Sequence, residues 1–189
     1  KSLLNTNRYE DSNYAENTNQ VLNKCLTHLT MTYPGFLEEE KEVKPFQEIL
    51  SVIKDENRSG SLSFTLSMLS NVNANIKNLL TMEAWRIFER MNKEWNKHKK
   101  NKFTSNREEI DQLDKLLIYL MAYKELIDES IFKEQGIIIF DIGVKIETSQ
   151  LLISKLRSLL TTKYDNLMQY EILDSMLNSY ESYNSYRAH

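Results

Sequence analysis

The stretch that most constrains the fold runs from Gly136 to Leu156 and reads GIIIFDIGVKIETSQLLISKL. Its three consecutive isoleucines are β-branched and locally favour a strand. Apolar or small residues nevertheless recur at steps of three and four, the period of one helix face, at Ile139, Ile142, Ile146, Ser149, Ile153, Leu156 and Leu160. Because burial of such a face outweighs small differences in propensity, the pattern predicts a long helix that buries Ile142, Ile146 and Ile153.

The composition favours helices along the whole chain. Only four Gly and two Pro occur in 189 residues, which argues against a turn-rich β architecture. Helical spacing elsewhere predicts an all-α bundle of about seven helices, several of them long and antiparallel. No linker is visible, so we expect a single domain over 1–189. The chain lacks an initiator Met and a final helix-ending signal, so we expect a partial domain from a longer protein.

Several helix starts and faces can be assigned from local signals. Pro45 suits a first helical turn, Thr81 suits an N-cap, and Ser105 with Glu108 has the spacing of a capping box. The helix after Thr81 is expected to turn one apolar face to the core, with Trp85, Phe88, Met91 and Trp95. The helix after Ser105 is expected to do the same with Ile110, Leu113, Leu117, Leu120 and Ile127.

Asn73 interrupts an apolar stripe between Leu62 and Leu80 and is therefore expected to be partly buried. A buried amide costs free energy unless it is hydrogen-bonded. We interpret Asn73 as a register device or as part of a polar network between helices, and Trp85 as a structural aromatic residue. A functional role for Asn73 is the alternative.

Charge and cysteine content restrict the class of protein. A net charge of -3 shows no basic excess that would hold a nucleic-acid backbone. The run from Lys97 to Lys102, which includes His98, is expected to face water or complement helix carbonyl groups, with a phosphate-binding patch as the alternative. The single Cys25 cannot form an internal disulfide and fits the cytoplasm. No apolar run approaches the roughly 20 residues that span a bilayer.

Common catalytic and ligand-binding motifs are missing from the sequence. The three histidines are scattered, and no H-E-x-x-H or Gly-rich phosphate loop occurs. Cys25 and His28 share one helix face at i,i+3, and Cys25 is expected to be an inert core residue, with a catalytic nucleophile as the alternative. We therefore expect no metal or cofactor site in this region.

An acidic set is the remaining candidate site. It comprises Glu125, Asp128 and Glu129 near the end of one helix, and Asp141 and Glu147 on the next. An antiparallel arrangement would bring Glu129 and Asp141 together, where they would bind a cation or perturb each other's pKa. The alternative is a solvated face with ion pairs to Lys124 and Lys145.

Three segments of the chain resemble the bacterial alpha-E family, an all-helical domain with a recurrent Glu-Arg motif. They are LTHLTMTYPGF, GSLSFTLSMLSNVNANIKNLLTMEAWRIFERM and LDKLLIYLMAYKELIDESIFKEQGIIIFDIGVKIETSQLL. The resemblance places Glu129, Ser130, Gly136, Phe140, Asp141, Gly143 and Glu147 at motif positions. Thr148 stands where the family has Arg, so no Arg-dependent ion pair carries over. The resemblance also implies a similar helix before Lys1 and further helices after His189.

The family context implies an association with a circularly permuted ATP-grasp domain, in the same or a neighbouring chain. Such a domain would carry ATP, magnesium and carboxylate–amine ligase activity in peptide synthesis or modification. A transglutaminase-like protease and a peptide substrate are further implied partners, whereas nucleic acid and membrane are not. The leading hypothesis is an accessory or interaction module without independent catalysis. The alternative is an enzyme or metal-dependent active-site contributor that uses Glu129, Asp141 and Glu147.

Gly143 carries a separate prediction. Gly inside a helix is about 1 kcal/mol less favourable than Ala, so its presence predicts the close approach of a neighbouring element.

Overall fold

The computed structural model describes residues 12–37, 45–101, 105–130 and 136–179, and side chains within 19–37, 45–101, 105–128 and 138–178. These residues form seven α-helices and no strand, which confirms the all-α prediction for the described part of the chain. The helices are α1 (Ser12–Thr30), α2 (Pro45–Lys54), α3 (Leu62–Asn75), α4 (Met82–Lys100), α5 (Asn106–Ser130), α6 (Gly136–Leu160) and α7 (Asn166–Ser179). Short 3₁₀ turns lie at Gly35–Leu37 and Lys77–Leu79.

The local signals for helix starts are confirmed. Pro45 is the first residue of α2. The backbone N–H of Ala84 donates to Thr81 Oγ1 at 3.2 Å, and that of Glu108 donates to Ser105 Oγ at 3.2 Å. Each bond satisfies an amide that has no partner within its own helix. The isoleucine-rich segment is helical, as its three-and-four spacing predicts.

The chain divides into two compact units. One comprises Lys1–Leu50 together with Ser149–His189, and the other comprises Ser51–Thr148. The division falls within α2 and within α6. The single-domain expectation remains a prediction.

In the first unit, α1 packs against α7. Its buried core consists of Leu22, Cys25, Leu159, Met168 and Ile172. The buried position of Cys25 agrees with the expectation of an inert core cysteine. Gly35 follows α1 in a left-handed conformation with φ +51°, where a Cβ atom would lie 2.5 Å from Thr27 Oγ1. That position therefore requires glycine.

In the second unit, α4 packs against α5 and, less extensively, against α3. Ala84, Phe88, Met91 and Trp95 form the buried face of α4. The last three were predicted from the spacing, whereas Ala84 is buried in place of Trp85. Trp85 is half-buried, and its indole ring lies beneath the Lys77 ammonium at 4.4 Å. Trp85 therefore lies at the edge of this face, with its ring centroid 6.0 Å from that of Phe88, and serves as a structural aromatic residue there.

The buried face of α5 differs from the predicted one. Leu116, Tyr123 and Ile127 are buried, whereas Leu117 is half exposed. The buried face includes Tyr123, whose side chain ends in a hydroxyl group. The spacing of aliphatic residues alone does not identify it. Its ring packs on Phe88 of α4, with 5.2 Å between the ring centroids.

The predicted burial of the α6 stripe is wrong. Every residue from 141 to 153 is exposed, including Ile142, Ile146 and Ile153. The spacing correctly predicted the helix, but no described residue covers its apolar face. Among the described residues, no helix combines the length and apolar character required to cross a membrane.

Candidate functional site

The described motif residues of the acidic set lie on an exposed segment of α6. Asp141, Gly143 and Glu147 are all exposed. Thr148, at the position where the resemblance expects Arg, donates its hydroxyl hydrogen to the Val144 carbonyl at 2.8 Å. Its polar group is thus used within the helix. These positions are therefore on the surface of the described structure.

No neighbouring element among the described residues approaches Gly143. A Cβ atom built there would have nothing within 4 Å. The prediction of a close approach at this glycine is therefore wrong. Gly143 lowers the helix propensity of α6 locally.

An ion pair confirms part of the alternative interpretation of the acidic set. Lys124 Nζ donates to Asp128 Oδ2 at 2.6 Å on the surface of α5. The hydrogen bond and the charge of Asp128 raise the pKa of Lys124, with smaller contributions from Asp141 and Glu125. Asp141 therefore belongs to the electrostatic surroundings of the end of α5.

The predicted pairing of Glu129 with Asp141 stays a prediction. Glu129 and Ser130 end α5, and their side chains lie outside the described residues. Within the described ranges, no group of three or more His, Cys, Asp or Glu side chains is arranged to hold a metal ion.

The same helix segment carries an apolar surface. The α6 apolar surface, as we define it, comprises Ile138, Ile139, Ile142 and Ile146, whose exposed fractions are 56%, 71%, 52% and 54%. A helix that is apolar on several sides is normally buried, and a contiguous exposed apolar patch commonly marks a contact site. Asp141 and Glu147 lie on opposite sides of this patch, each about 120° around the helix from its centre. The motif acids therefore flank the apolar residues on α6.

A second polar arrangement is buried in the unit Ser51–Thr148. His98 Nε2 donates to Glu109 Oε2 at 2.8 Å, and Lys54 donates to the other carboxylate oxygen. The side chains of His98 and Glu109 are almost completely buried. This cluster joins α2, α4 and α5. The buried carboxylate charge of Glu109 is compensated by the ion pair with Lys54 and by the hydrogen bonds from Lys54 and His98.

The expectation that His98 faces water is therefore wrong, and sequence reasoning missed Glu109 altogether. Two spacing signals were available. His98 continues the buried face of α4 three residues after Trp95, and Glu109 precedes the buried residues Leu116 and Tyr123 by seven and fourteen positions. Polar residues at core spacing therefore indicated the cluster.

Asn73 is buried as predicted, and the hydroxyl group of Tyr123 donates to its Oδ1 atom. The bond joins α3 to α5, which fits the interpretation of a polar network between helices. Asn73 Nδ2 is buried without a partner among the described residues.

A family model named Alpha-E, described as a predicted alpha-helical domain with a conserved ER motif, matches residues 3–189. The dipeptide Glu-Arg occurs once in the sequence, at Glu89–Arg90 on α4, where both side chains are exposed. No curated protein and no solved structure matches the chain.

Proposed function

This chain belongs to the Alpha-E family, and we propose that it acts as a helical interaction module of an ATP-grasp-associated system for peptide synthesis or modification. In this proposal the chain works in the cytoplasm and contributes contacts, while the associated ATP-grasp domain carries ATP, magnesium and the ligation chemistry.

The α6 apolar surface is the observation that carries this proposal. Burying a Val or Ile side chain completely is worth about 1.5–3 kcal/mol. The four residues of the surface are between 52% and 71% exposed, so a partner that covers them recovers a substantial part of that free energy. Several kcal/mol would then be available to offset the cost of association. A protein surface with complementary apolar side chains is the chemistry that fits.

The exposed acids give the contact an orientation. Asp141 and Glu147 remain solvated in this chain. A partner covering the α6 apolar surface would meet both carboxylates at its border. Basic groups on the partner would therefore fix the register of docking and accelerate association more than they would raise affinity.

The identity of the partner rests on the resemblance described above. We assign the contact to the ATP-grasp domain, in the same or a neighbouring polypeptide. A transglutaminase-like protease or a peptide substrate would join the assembly through other surfaces. The chain itself supplies helical packing and no nucleotide loop, which supports an accessory role rather than a second ligase site.

The test replaces two residues of the α6 apolar surface. Ile142→Lys combined with Ile146→Lys should weaken binding to the purified ATP-grasp partner at least tenfold in isothermal titration calorimetry. The matched control is Val72→Lys with Leu79→Lys, since Val72 and Leu79 have exposed fractions of 54% and 52%, close to those of the α6 pair. The control should bind as the wild type does. Equal affinities for both double variants would contradict the proposed docking surface.

A second measurement addresses the assembly. ADP release by the ATP-grasp partner with magnesium and a peptide pool should fall when this chain is omitted. If the rate and the product masses stay unchanged without it, the accessory role is wrong.

The alternative, an active-site contribution by the acids, predicts a different pattern. Glu129→Gln, Asp141→Asn and Glu147→Gln would then abolish turnover while the circular-dichroism spectrum and partner affinity stay normal.

A further inference from the structure

A groove in the first unit is distinct from the α6 apolar surface. It lies between α1, the last turns of α6 and the segment leading into α7, and its volume is about 520 Å³. Small-molecule sites commonly occupy about 300–1,000 Å³. Val21, Leu37 and Met168 supply apolar contact surface along this groove. Its size and lining therefore suit a small organic molecule.

Lys24 supplies an ammonium group to the groove. Lys24 and His28 line it from successive turns of α1, and none of the lining residues that the structure describes carries a carboxylate. Asp165, close in sequence to Tyr164, is not among the described lining residues; its Oδ1 accepts the Met168 backbone N–H at 2.9 Å and caps α7. His28 Nδ1 is hydrogen-bonded to the Tyr33 hydroxyl at 2.8 Å, which fixes its ring. The groove thus favours negatively charged ligands.

Hydroxyl groups provide the hydrogen-bonding capacity that an anion requires. Ser158, Thr162 and Tyr164 all line the groove. Burial raises the pKa of the Cys25 thiol, against the opposing effects of a Ser158 hydrogen bond and the Lys155 charge. The thiol is therefore protonated at neutral pH and does not neutralise the positive charge of Lys24.

We propose that this groove binds a small organic monocarboxylate. The carboxylate lies against the Lys24 ammonium and accepts hydrogen bonds from the Thr162 and Tyr164 hydroxyls. The carbon chain packs on Val21, Leu37 and Met168. This site is independent of partner docking through α6.

Cys25 makes the charge of the groove measurable, because it is the single cysteine of the chain and its 4% exposed side chain lines the groove, through which a reagent reaches it slowly. Its modification by an anionic reagent, sulfonatoethyl methanethiosulfonate, is compared with that by the cationic trimethylammonioethyl analogue. Both reagents attack the same thiolate, so the rate ratio does not depend on the thiol pKa. After normalisation to free mercaptoethanol, the ratio should favour the anionic reagent at least about fivefold, because Lys24 attracts that reagent and repels the cationic one, so that the two differ by two unit charges.

Two variants test the source of that preference. Lys24→Glu should reduce the ratio to one or below, whereas Lys97→Glu, an identical charge change at an exposed position of α4, should leave it unchanged. Circular dichroism confirms that both variants are folded. A wild-type ratio of one, or an equal effect of both variants, would overturn the proposal.

The ligand is tested with hexanoate and its neutral analogue hexanamide. Hexanoate should slow modification of Cys25 by both reagents, and hexanamide should protect far less. Lys24→Glu should lose the protection. Isothermal titration of the full chain with hexanoate gives a reagent-free measurement. Equal protection by both compounds, or no binding at millimolar concentration, would show that the groove is not a carboxylate site.

Discussion

At the residue scale, Asn73 and Tyr123 form a buried polar pair that links α3 to α5. Asn73 is 1% exposed, and the Tyr123 hydroxyl is its hydrogen-bond donor. A buried polar group that loses its partner costs about 1–3 kcal/mol, whereas replacing both partners with apolar groups is close to neutral. The pair therefore contributes to the specificity of helix packing more than to its strength.

A double-mutant cycle tests this interpretation. Tyr123→Phe should lower the free energy of unfolding by about 1–3 kcal/mol in urea denaturation, because it leaves Asn73 unsatisfied. Adding Asn73→Leu should recover most of that loss. Tyr170→Phe, at an exposed position, serves as the control. Strictly additive losses in the double variant would show that the two residues are not coupled.

Tyr123 also predicts a dependence of stability on alkaline pH. Burial raises its pKa from 10.0 to about 12, opposed by the hydrogen bond with Asn73. The folded state therefore keeps a proton that the unfolded state releases, so stability is fully present below pH 10.0 and falls as pH rises towards 12. The loss should be on the order of 2 kcal/mol.

Chemical denaturation at several alkaline pH values, with tyrosinate absorbance as a second signal, measures this effect. Tyr123→Phe should remove this component of the fall. If the wild type and Tyr123→Phe lose stability in parallel, the phenol is not the responsible group.

At the scale of elements, two glycines predict opposite outcomes. Gly143→Ala should raise the free energy of unfolding by up to about 1 kcal/mol, because the new methyl group meets open space inside α6. Gly35→Ala should destabilise the protein, since φ is +51° and the new Cβ atom would lie 2.5 Å from Thr27 Oγ1. Thermal unfolding of the two variants gives the comparison. A destabilising Gly143→Ala would indicate that a neighbour does cover α6.

The buried cluster of Lys54, His98 and Glu109 is expected to stabilise the packing of α2, α4 and α5. Glu109→Gln removes the carboxylate charge that pairs with Lys54 and accepts the hydrogen bond of His98, and it should lower the free energy of unfolding by about 3 kcal/mol. Asp111→Asn, at an exposed position of the same helix, should change it by less than about 0.5 kcal/mol. Urea denaturation of both variants decides the point, and similar values would argue against a structural role for the cluster.

At the scale of the whole molecule, an exposed apolar helix surface should be detectable in solution. The chain alone should enhance the fluorescence of anilinonaphthalene sulfonate, because this dye binds accessible apolar surface. Ile142→Lys with Ile146→Lys should reduce the signal, whereas Val72→Lys with Leu79→Lys should reduce it less. A dye signal that is insensitive to the α6 pair would place the accessible apolar surface elsewhere.

The sequence was most informative about local structure. The starts of α2 and α4 depend on Pro45 and Thr81, whose effects act within one helical turn. Their positions could therefore be predicted without knowledge of the fold. The helical state of α6 followed from spacing despite three β-branched residues. The family resemblance is confirmed by a match over residues 3–189.

The candidate site could be predicted only in part. Asp141 and Glu147 were selected from charge and from the resemblance, but their exposure depends on which neighbours reach α6. His98 and Glu109 carry no motif, and they become a buried pair only because α4 packs on α5. The groove around Cys25 combines residues more than a hundred positions apart, which sequence spacing does not relate.

The sequence by itself determined that the described chain is helical and where α2, α4 and α5 begin, because hydrogen bonding and capping act over a few residues. Only the tertiary structure decided which faces are buried, because an apolar face is removed from water only where another element covers it. The stripe on α6 has core-like spacing and stays exposed, whereas the polar His98 is buried because Glu109 satisfies its ring nitrogen.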